Sequence, residues 1–191
     1  MGHDSLALVG AAGGVGTTRL TLEAGTLLAR DGRDVAVLDA AYATQGLADL
    51  TPGRLEPDMT ALCLDDTPLE TALRDRSLDG AGRLAVCPAR APFERLARAK
   101  TPEAAEAFED RIAEAARAFD HVLVDVPPVA ANQAVAAVSA ADAVAVVADA
   151  ARADDAVPRA RDRVGTVLEV TTGLSVDVDE DTESLRDRLP L

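Results

Sequence analysis

The chain has 191 residues, a mass of 19.7 kDa and 48% hydrophobic residues, which is enough for one α/β domain with a buried core and excludes a disordered or fibrous protein. Only 2% of the residues are aromatic, so the core must be built from Ala, Val and Leu in thin, closely approaching layers. The net charge of −14, with Lys100 as the single lysine, argues against nucleic acid or an anionic membrane as the main partner, because both bind basic surfaces.

The acidic, lysine-poor and alanine-rich composition is typical of proteomes adapted to very high salt, and a GC-rich genome would shift the composition in the same direction. We therefore hypothesise a halophilic protein.

Cys63 and Cys87 lack the spacing of metal ligands. The apolar run Ser5–Gly10 is too short for a signal peptide or a membrane span. We expect reduced cysteines, no membrane anchor and a cytoplasmic location.

Short runs of Val, Leu and Ala alternate with longer segments rich in Ala, Leu, Arg and Glu, which is the pattern of a parallel sheet covered by helices. The predicted strands are apolar enough to be buried on both faces. In chain order the predicted elements are strand Ser5–Gly10, helix Thr18–Arg30, strand Asp34–Asp39, helix Pro68–Arg76, strand Arg83–Cys87, helix Pro102–Ala118, strand His121–Val126, helix Ala131–Ala140, strand Ala143–Ala148, helix Asp155–Val164, strand Thr166–Val170 and helix Thr182–Leu189. Residues 51–67 carry turn residues and show no clean period. Without a repeat or a linker, residues 1–191 are predicted to form a single domain of the α/β class, with a mainly parallel sheet between helices.

A glycine-rich turn joins the first predicted strand to the first predicted helix. Glycines let backbone N–H groups curl around an anion, and the helix dipole adds about half a positive charge at that point. Thr18 places a hydroxyl where such loops bind Mg²⁺, but in the pattern G-x-x-x-x-G-K-[ST] the lysine position holds Thr17 and the first glycine position holds Ala11. The candidate phosphate-binding residues are Gly13, Gly14, Val15, Gly16, Thr17 and Thr18.

Two predicted strands carry an aspartate at their carboxyl end: Asp39 is the last residue of its strand, and Asp125 is the next to last of its own and is followed closely by Pro127-Pro128. Ligands of parallel sheets bind at the carboxyl ends of the strands, so both carboxylates are candidate functional groups. The alternative interpretation is that they only terminate their strands, and it has more weight for Asp39 because Asp also favours turns.

These three segments together resemble the ParA/MinD family of P-loop ATPases. Gly13-Gly14-Val15-Gly16-x-Thr18 resembles the deviant phosphate loop, residues 35–39 resemble switch I, and residues 122–128 resemble switch II. The resemblance covers about residues 5–170, and residues 45–50 with the predicted acidic helix after them are similar to the pilus-associated CpaE/TadZ branch. It implies a three-layer P-loop NTPase fold in which the loop binds ATP.

The resemblance also implies that Thr18, Asp39 and Asp125 lie around Mg²⁺ and that the two aspartates act in catalysis. The departures fall on catalytic groups. The signature lysine that bridges the family's dimer is Ala12 here, the phosphate-loop lysine is Thr17, and the second aspartate of switch I is Ala41. The asparagine that reads adenine has no counterpart, because the only asparagine is Asn132.

The missing groups predict a degenerate site. A charge-assisted hydrogen bond contributes about 1.5–3 kcal/mol, so the loss of two lysines leaves at most weak binding of ATP and Mg²⁺. We predict a pseudo-ATPase that acts through an unidentified protein partner in positioning, partition or pilus-type assembly. We expect it to need no cofactor to fold, and we expect any homodimer that it forms to be independent of nucleotide. The alternatives are an active ATPase that uses Arg19 or a partner's residue as the missing cation, and a small-molecule kinase.

Overall fold

The computed structural model describes residues 4–172. Within this range the chain alternates between strands and helices, and a short 3₁₀ helix precedes the last α-helix. In chain order the elements are β1 (Asp4–Gly10), α1 (Thr17–Arg30), β2 (Asp34–Asp39), α2 (Gly46–Asp49), α3 (Met59–Leu64), α4 (Leu69–Ala72), β3 (Arg74–Arg76), β4 (Arg83–Cys87), α5 (Phe93–Arg98), α6 (Pro102–Ala118), β5 (His121–Val126), α7 (Asn132–Ala140), β6 (Ala143–Val147), the 3₁₀ helix (Ala150–Arg152) and α8 (Ala153–Thr172).

The strands form one six-stranded sheet in the order β3-β4-β2-β5-β1-β6. All neighbours are parallel except β3, which pairs antiparallel with β4. β5 lies between β1 and β2 at the centre, so the carboxyl ends of β1, β2 and β5 meet at one edge of the sheet, as the sequence predicts. The predicted fold class, a mainly parallel sheet between helices, is confirmed.

The sheet has an apolar layer on each face. Successive residues of a strand point to opposite faces, so Val35 and Val37 of β2 pack on the side of α1, while Ala36 and Leu38 pack on the side of α6 and α7. On the first side the layer is thin, because a Cβ added at Gly25 of α1 would lie only 3.0 Å from the Leu84 Cδ1. This close approach agrees with a core poor in aromatic residues.

Two predicted elements were wrong. The predicted strand Thr166–Val170 is part of helix α8, in which the packed residues Val164 and Val167 follow a helical spacing of three. The predicted helix Pro68–Arg76 is helical only over Leu69–Ala72. The chain then becomes the strand β3, where the Arg74 guanidinium donates to four backbone carbonyls and so anchors the turn that precedes the edge strand.

Segment 51–67 contains helix α3, which begins after Asp58. The buried Asp58 carboxylate accepts hydrogen bonds from the Ala61 N–H and the Thr60 hydroxyl, so this N-cap defines a helix that apolar periodicity did not reveal.

β6 is only partly buried, contrary to the expectation for all strands, because it lies at the edge of the described sheet. Cys63 and Cys87 are buried, and neither forms a disulfide within the described residues.

The predicted helix Thr182–Leu189 lies outside the described residues. Among the helices within residues 4–172, none combines the length and the apolar character that a membrane crossing requires.

Candidate functional site

The loop between β1 and α1 is open and exposes backbone N–H groups. Gly14 and Gly16 have φ angles of 78° and 87°, in the left-handed region that favours glycine. A side chain added at either position would meet nothing within 4 Å, so there is free space over the loop. Gly16 is also the N-cap of α1, and no side chain of the described range caps this helix. The first N–H groups of α1 are therefore available to an anion.

Thr18, the second residue of α1, meets Asp125 at the end of β5. Burial raises the pKa of the Asp125 carboxyl to about 6, and the nearby Thr18 hydroxyl opposes part of this shift. Asp125 is 1% exposed, and its Oδ2 has no hydrogen-bond partner in the described part of the chain. A buried oxygen without a partner, next to a hydroxyl, matches the oxygen ligands that Mg²⁺ prefers. These two residues therefore fit the predicted metal position.

Asp39 lies directly opposite Asp125 in the pairing of β2 with β5. It is fully buried, and both of its oxygens accept backbone hydrogen bonds, Oδ1 from the Ala41 N–H at 2.8 Å and Oδ2 from the Ala89 N–H at 3.0 Å. Burial, and then the neighbouring Asp125, raises the pKa of Asp39 to about 7. In this structure Asp39 holds together the loops that follow β2 and β4.

The three altered positions of the resemblance occupy the same edge of the sheet. Ala12 is exposed on the loop, Thr17 is half-buried at the start of α1, and Ala41 is buried with a methyl group in place of a carboxylate. Arg19 does not reach the loop, because its guanidinium pairs with Glu23 one turn further along α1 at 2.7 Å. This geometry favours a solvent-facing role for Arg19.

A small cavity of about 210 Å³ adjoins the loop on the β6 side. It is lined by residues 12–15 together with Asp149, Arg152 and Ala156. Sequence reasoning missed Arg152, because no motif surrounds it and only the pairing of β6 with β1 brings the two loops together. The available signal was topological, since loops after adjacent parallel strands share one edge of the sheet.

A larger cavity, of about 590 Å³, lies beyond switch I and does not include the phosphate loop. It is lined by Gln45, by residues 53–56 and by residues 90–92, with Arg54 and Arg90 as its basic groups. Phe93, the next residue along the chain, is 84% exposed. Such an apolar side chain beside a concave surface is typical of a contact site for another molecule.

Comparison with known proteins agrees with this geometry. A family model described as an AAA domain matches residues 4–169. Cobyrinic acid a,c-diamide synthase from Mycobacterium smegmatis, with bound ADP and magnesium, has a TM-score of 0.72 and 22% identity over 90% of this chain and 69% of that chain. MinD from Pyrococcus horikoshii OT3, complexed with Mg-ADP, has a TM-score of 0.71 and 20% identity over 90% of this chain and 67% of that chain.

A variant of McdA from Cyanothece, in complex with ATP, has a TM-score of 0.71 and 21% identity over 90% of this chain and 66% of that chain. The chain thus spans about two thirds of the length of the structures it resembles. No curated protein matches it by sequence. The family match over residues 4–169, the fold and the three motifs together show that the chain belongs to the AAA-domain family, as a ParA/MinD-type member of the P-loop ATPases.

Proposed function

We propose that this domain has lost ATP hydrolysis, binds a nucleotide with Mg²⁺ at most weakly, and acts through protein contacts in positioning, partition or pilus-type assembly. The observation that carries the proposal is the state of switch I. Both Asp39 oxygens are engaged by backbone N–H groups, and Ala41 offers only a methyl group where the family places its second aspartate. Switch I therefore has no carboxylate available to position an attacking water.

The missing cations support the same conclusion. Phosphoryl transfer depends on positioning and on neutralising the charge of the transferred group. Loss of one preorganised donor typically slows catalysis by about 10²–10³-fold, and here Ala12 and Thr17 remove two. The paired Arg19 does not replace them in this geometry.

Weak binding of nucleotide is supported by what the site retains. The loop keeps its open N–H groups, and Thr18 and Asp125 keep an oxygen pair suited to Mg²⁺. The related structures bind ADP or ATP, two of them with magnesium or Mg-ADP. We propose the same ligand class for this chain.

The proposed protein contact is supported by the surface around Phe93. This exposed ring directly follows the cavity-lining residues 90–92, and the arginines of that cavity face carboxylates of this chain, Arg54 with Glu56 and Arg90 with Asp49. An exposed aromatic group flanked by arginines is a composition enriched in protein interfaces.

The purified protein should hydrolyse ATP no faster than its Thr18→Ala variant, because the wild-type site already lacks the groups that accelerate the reaction. Release of phosphate from radiolabelled ATP in multi-molar KCl measures this. A wild-type rate clearly above that of the variant would contradict the loss of catalysis and would favour a cation supplied from elsewhere, such as Arg19 or a partner's residue.

The oligomeric state should not change when ATP and Mg²⁺ are added, because Ala12 cannot bridge to a nucleotide bound by a second copy. Light scattering with and without ATP measures this. A dimer that forms equally in both samples agrees with the proposal, whereas a dimer that forms only with ATP would show that the site still controls assembly.

A further inference from the structure

The loop after β6 lies directly beside the phosphate loop. β6 pairs with β1 in register from Leu6 to Gly10, and the Ala11 N–H donates a hydrogen bond to the Val147 carbonyl at 2.8 Å. The phosphate loop is therefore tied at its start to the end of β6. The next residues, Asp149 and the 3₁₀ helix Ala150–Arg152, enter the same edge of the sheet.

Arg152 brings a positive charge to this place. It lines the 210 Å³ cavity together with residues 12–15, whose Gly13 and Gly14 belong to the candidate phosphate-binding set. Unlike Arg19, whose guanidinium is paired with Glu23, Arg152 forms no ion pair within residues 4–172. Its charge is available to a ligand in the cavity.

We propose that Arg152 is the cation of this site and binds the phosphate groups of a ligand seated against residues 12–15. The inference rests on the proposed function, whose nucleotide site it completes. A cavity of about 210 Å³ is below the roughly 300–1,000 Å³ of pockets that enclose a drug-sized molecule. It accommodates a phosphate chain, from a nucleotide or from free polyphosphate, and leaves the rest of a nucleotide outside it.

Asp149 provides an internal test because it lines the same cavity with the opposite charge. Its Oδ1 accepts a hydrogen bond from the Ala151 N–H at 3.0 Å, which orients the turn that carries Arg152. An asparagine at this position keeps an oxygen acceptor for Ala151 and removes the negative charge. Removing the charge of Arg152 should therefore weaken anion binding, and removing the charge of Asp149 should strengthen it.

Isothermal titration with pyrophosphate and with Mg-ADP, at one fixed KCl concentration, tests the proposal. Arg152→Gln should weaken both probes by about 10- to 100-fold, the value of one charge-assisted hydrogen bond. Asp149→Asn should bind both probes more tightly than the wild type. Arg163→Gln is the matched control, since Arg163 is exposed on α8, about 16 Å further along the helix, and the substitution changes the net charge equally.

Equal binding by Arg152→Gln and Arg163→Gln would overturn the proposal, and so would a wild-type protein that binds neither probe. Weaker binding of Mg-ADP alone would also overturn it, because the contact would then be to the base or the ribose. Thermal melts without ligand show whether each variant keeps its fold. ATP turnover measured on the same samples reports separately on the proposed loss of hydrolysis, which can fail while the Arg152 contact holds.

Discussion

Replacing Asp125 by Asn should stabilise the protein at pH 8 by about 1–3 kcal/mol and remove part of its pH dependence. The physical reason is the buried carboxylate, which is 1% exposed and has one oxygen without a partner in the described chain. Burial raises its pKa to about 6, whereas an aspartate in the unfolded chain has a pKa of about 3.9. The asparagine keeps an acceptor for the Thr18 hydroxyl and carries no charge.

The sign follows from proton binding. Between about pH 4 and pH 6 the folded protein holds a proton on Asp125 that the unfolded chain has released, so the free energy of unfolding falls as pH rises through this range. The contribution is fully present below the unfolded pKa and is lost above the folded pKa. Asp39, with a pKa raised to about 7, adds a decrease of the same sign that extends to higher pH. In the Asp125→Asn variant this decrease becomes smaller, because burial still raises the pKa of Asp39 but the charge of Asp125 no longer does.

Urea denaturation from pH 4 to pH 8, in EDTA and at constant KCl, measures this effect. Asp162→Asn is a suitable control because Asp162 is exposed on α8. An Asp125→Asn variant with the wild-type slope between pH 4 and pH 6 would contradict the explanation. Mg²⁺ added at pH 8 should restore stability to the wild type and not to the variant, since the metal would neutralise the same charge.

Raising KCl from dilute buffer to several molar should increase the melting temperature by about 10 °C or more. The net charge is −14, and repulsion between charges that extends over about 30 Å at 0.01 M salt is screened to about 3 Å at 1 M. The small aliphatic core gains from salting-out in the same direction. At about 2–4 °C per kcal/mol for a domain of this size, a shift of about 10 °C corresponds to roughly 2.5–5 kcal/mol.

Helix α6 offers a variant that tests the repulsive part through its dependence on salt. Glu106 and Asp110 both raise the pKa of Glu109, after the larger effect of its partial burial, so these three carboxylates repel one another. Glu109→Gln should raise the melting temperature in dilute buffer, and only the part of this gain that comes from repulsion should be lost at high KCl, because salt screens the charges and leaves the burial unchanged. A wild-type melting temperature that stays flat or falls with KCl would mean that the acidic composition has another origin, such as a basic partner.

The parts of the fold that the sequence predicts correctly are those in which local pattern and burial agree. The runs Asp34–Asp39 and His121–Val126 are apolar after their first residue except for one aspartate at or next to the end, and both are central strands with these bounds. Residues 166–170 have the composition of a strand, but packing on the sheet through Val164 and Val167 makes them helical. The residues of β3 belong to the predicted helix Pro68–Arg76, but their antiparallel pairing with β4 outweighs this helical pattern.

Within the candidate site, the sequence predicts the residues that belong to a continuous motif. The phosphate loop and the two aspartates could be read from strand ends, and the contact of Thr18 with Asp125 confirms that they share one edge. Arg152 could not be predicted in this way, because its position depends on the pairing of β6 with β1 across about 140 residues of chain. One of the two backbone hydrogen bonds that Asp39 accepts, from the Ala89 N–H, depends likewise on a loop distant in sequence.

The close packing of Gly25 against the sheet has a mechanical consequence for the loop. Gly25 lies seven residues, or about two helical turns, after Thr18 on α1, and its missing side chain lets the helix rest on Leu84 and Val37. An added methyl group there would press on the ends of these two side chains, which would have to shift by a few tenths of an ångström unless α1 moved away from the strands. Any such movement of α1 would carry the Thr18 hydroxyl away from the Asp125 carboxyl, so the height of the helix above the sheet bears on the candidate metal position from a point about 10 Å away.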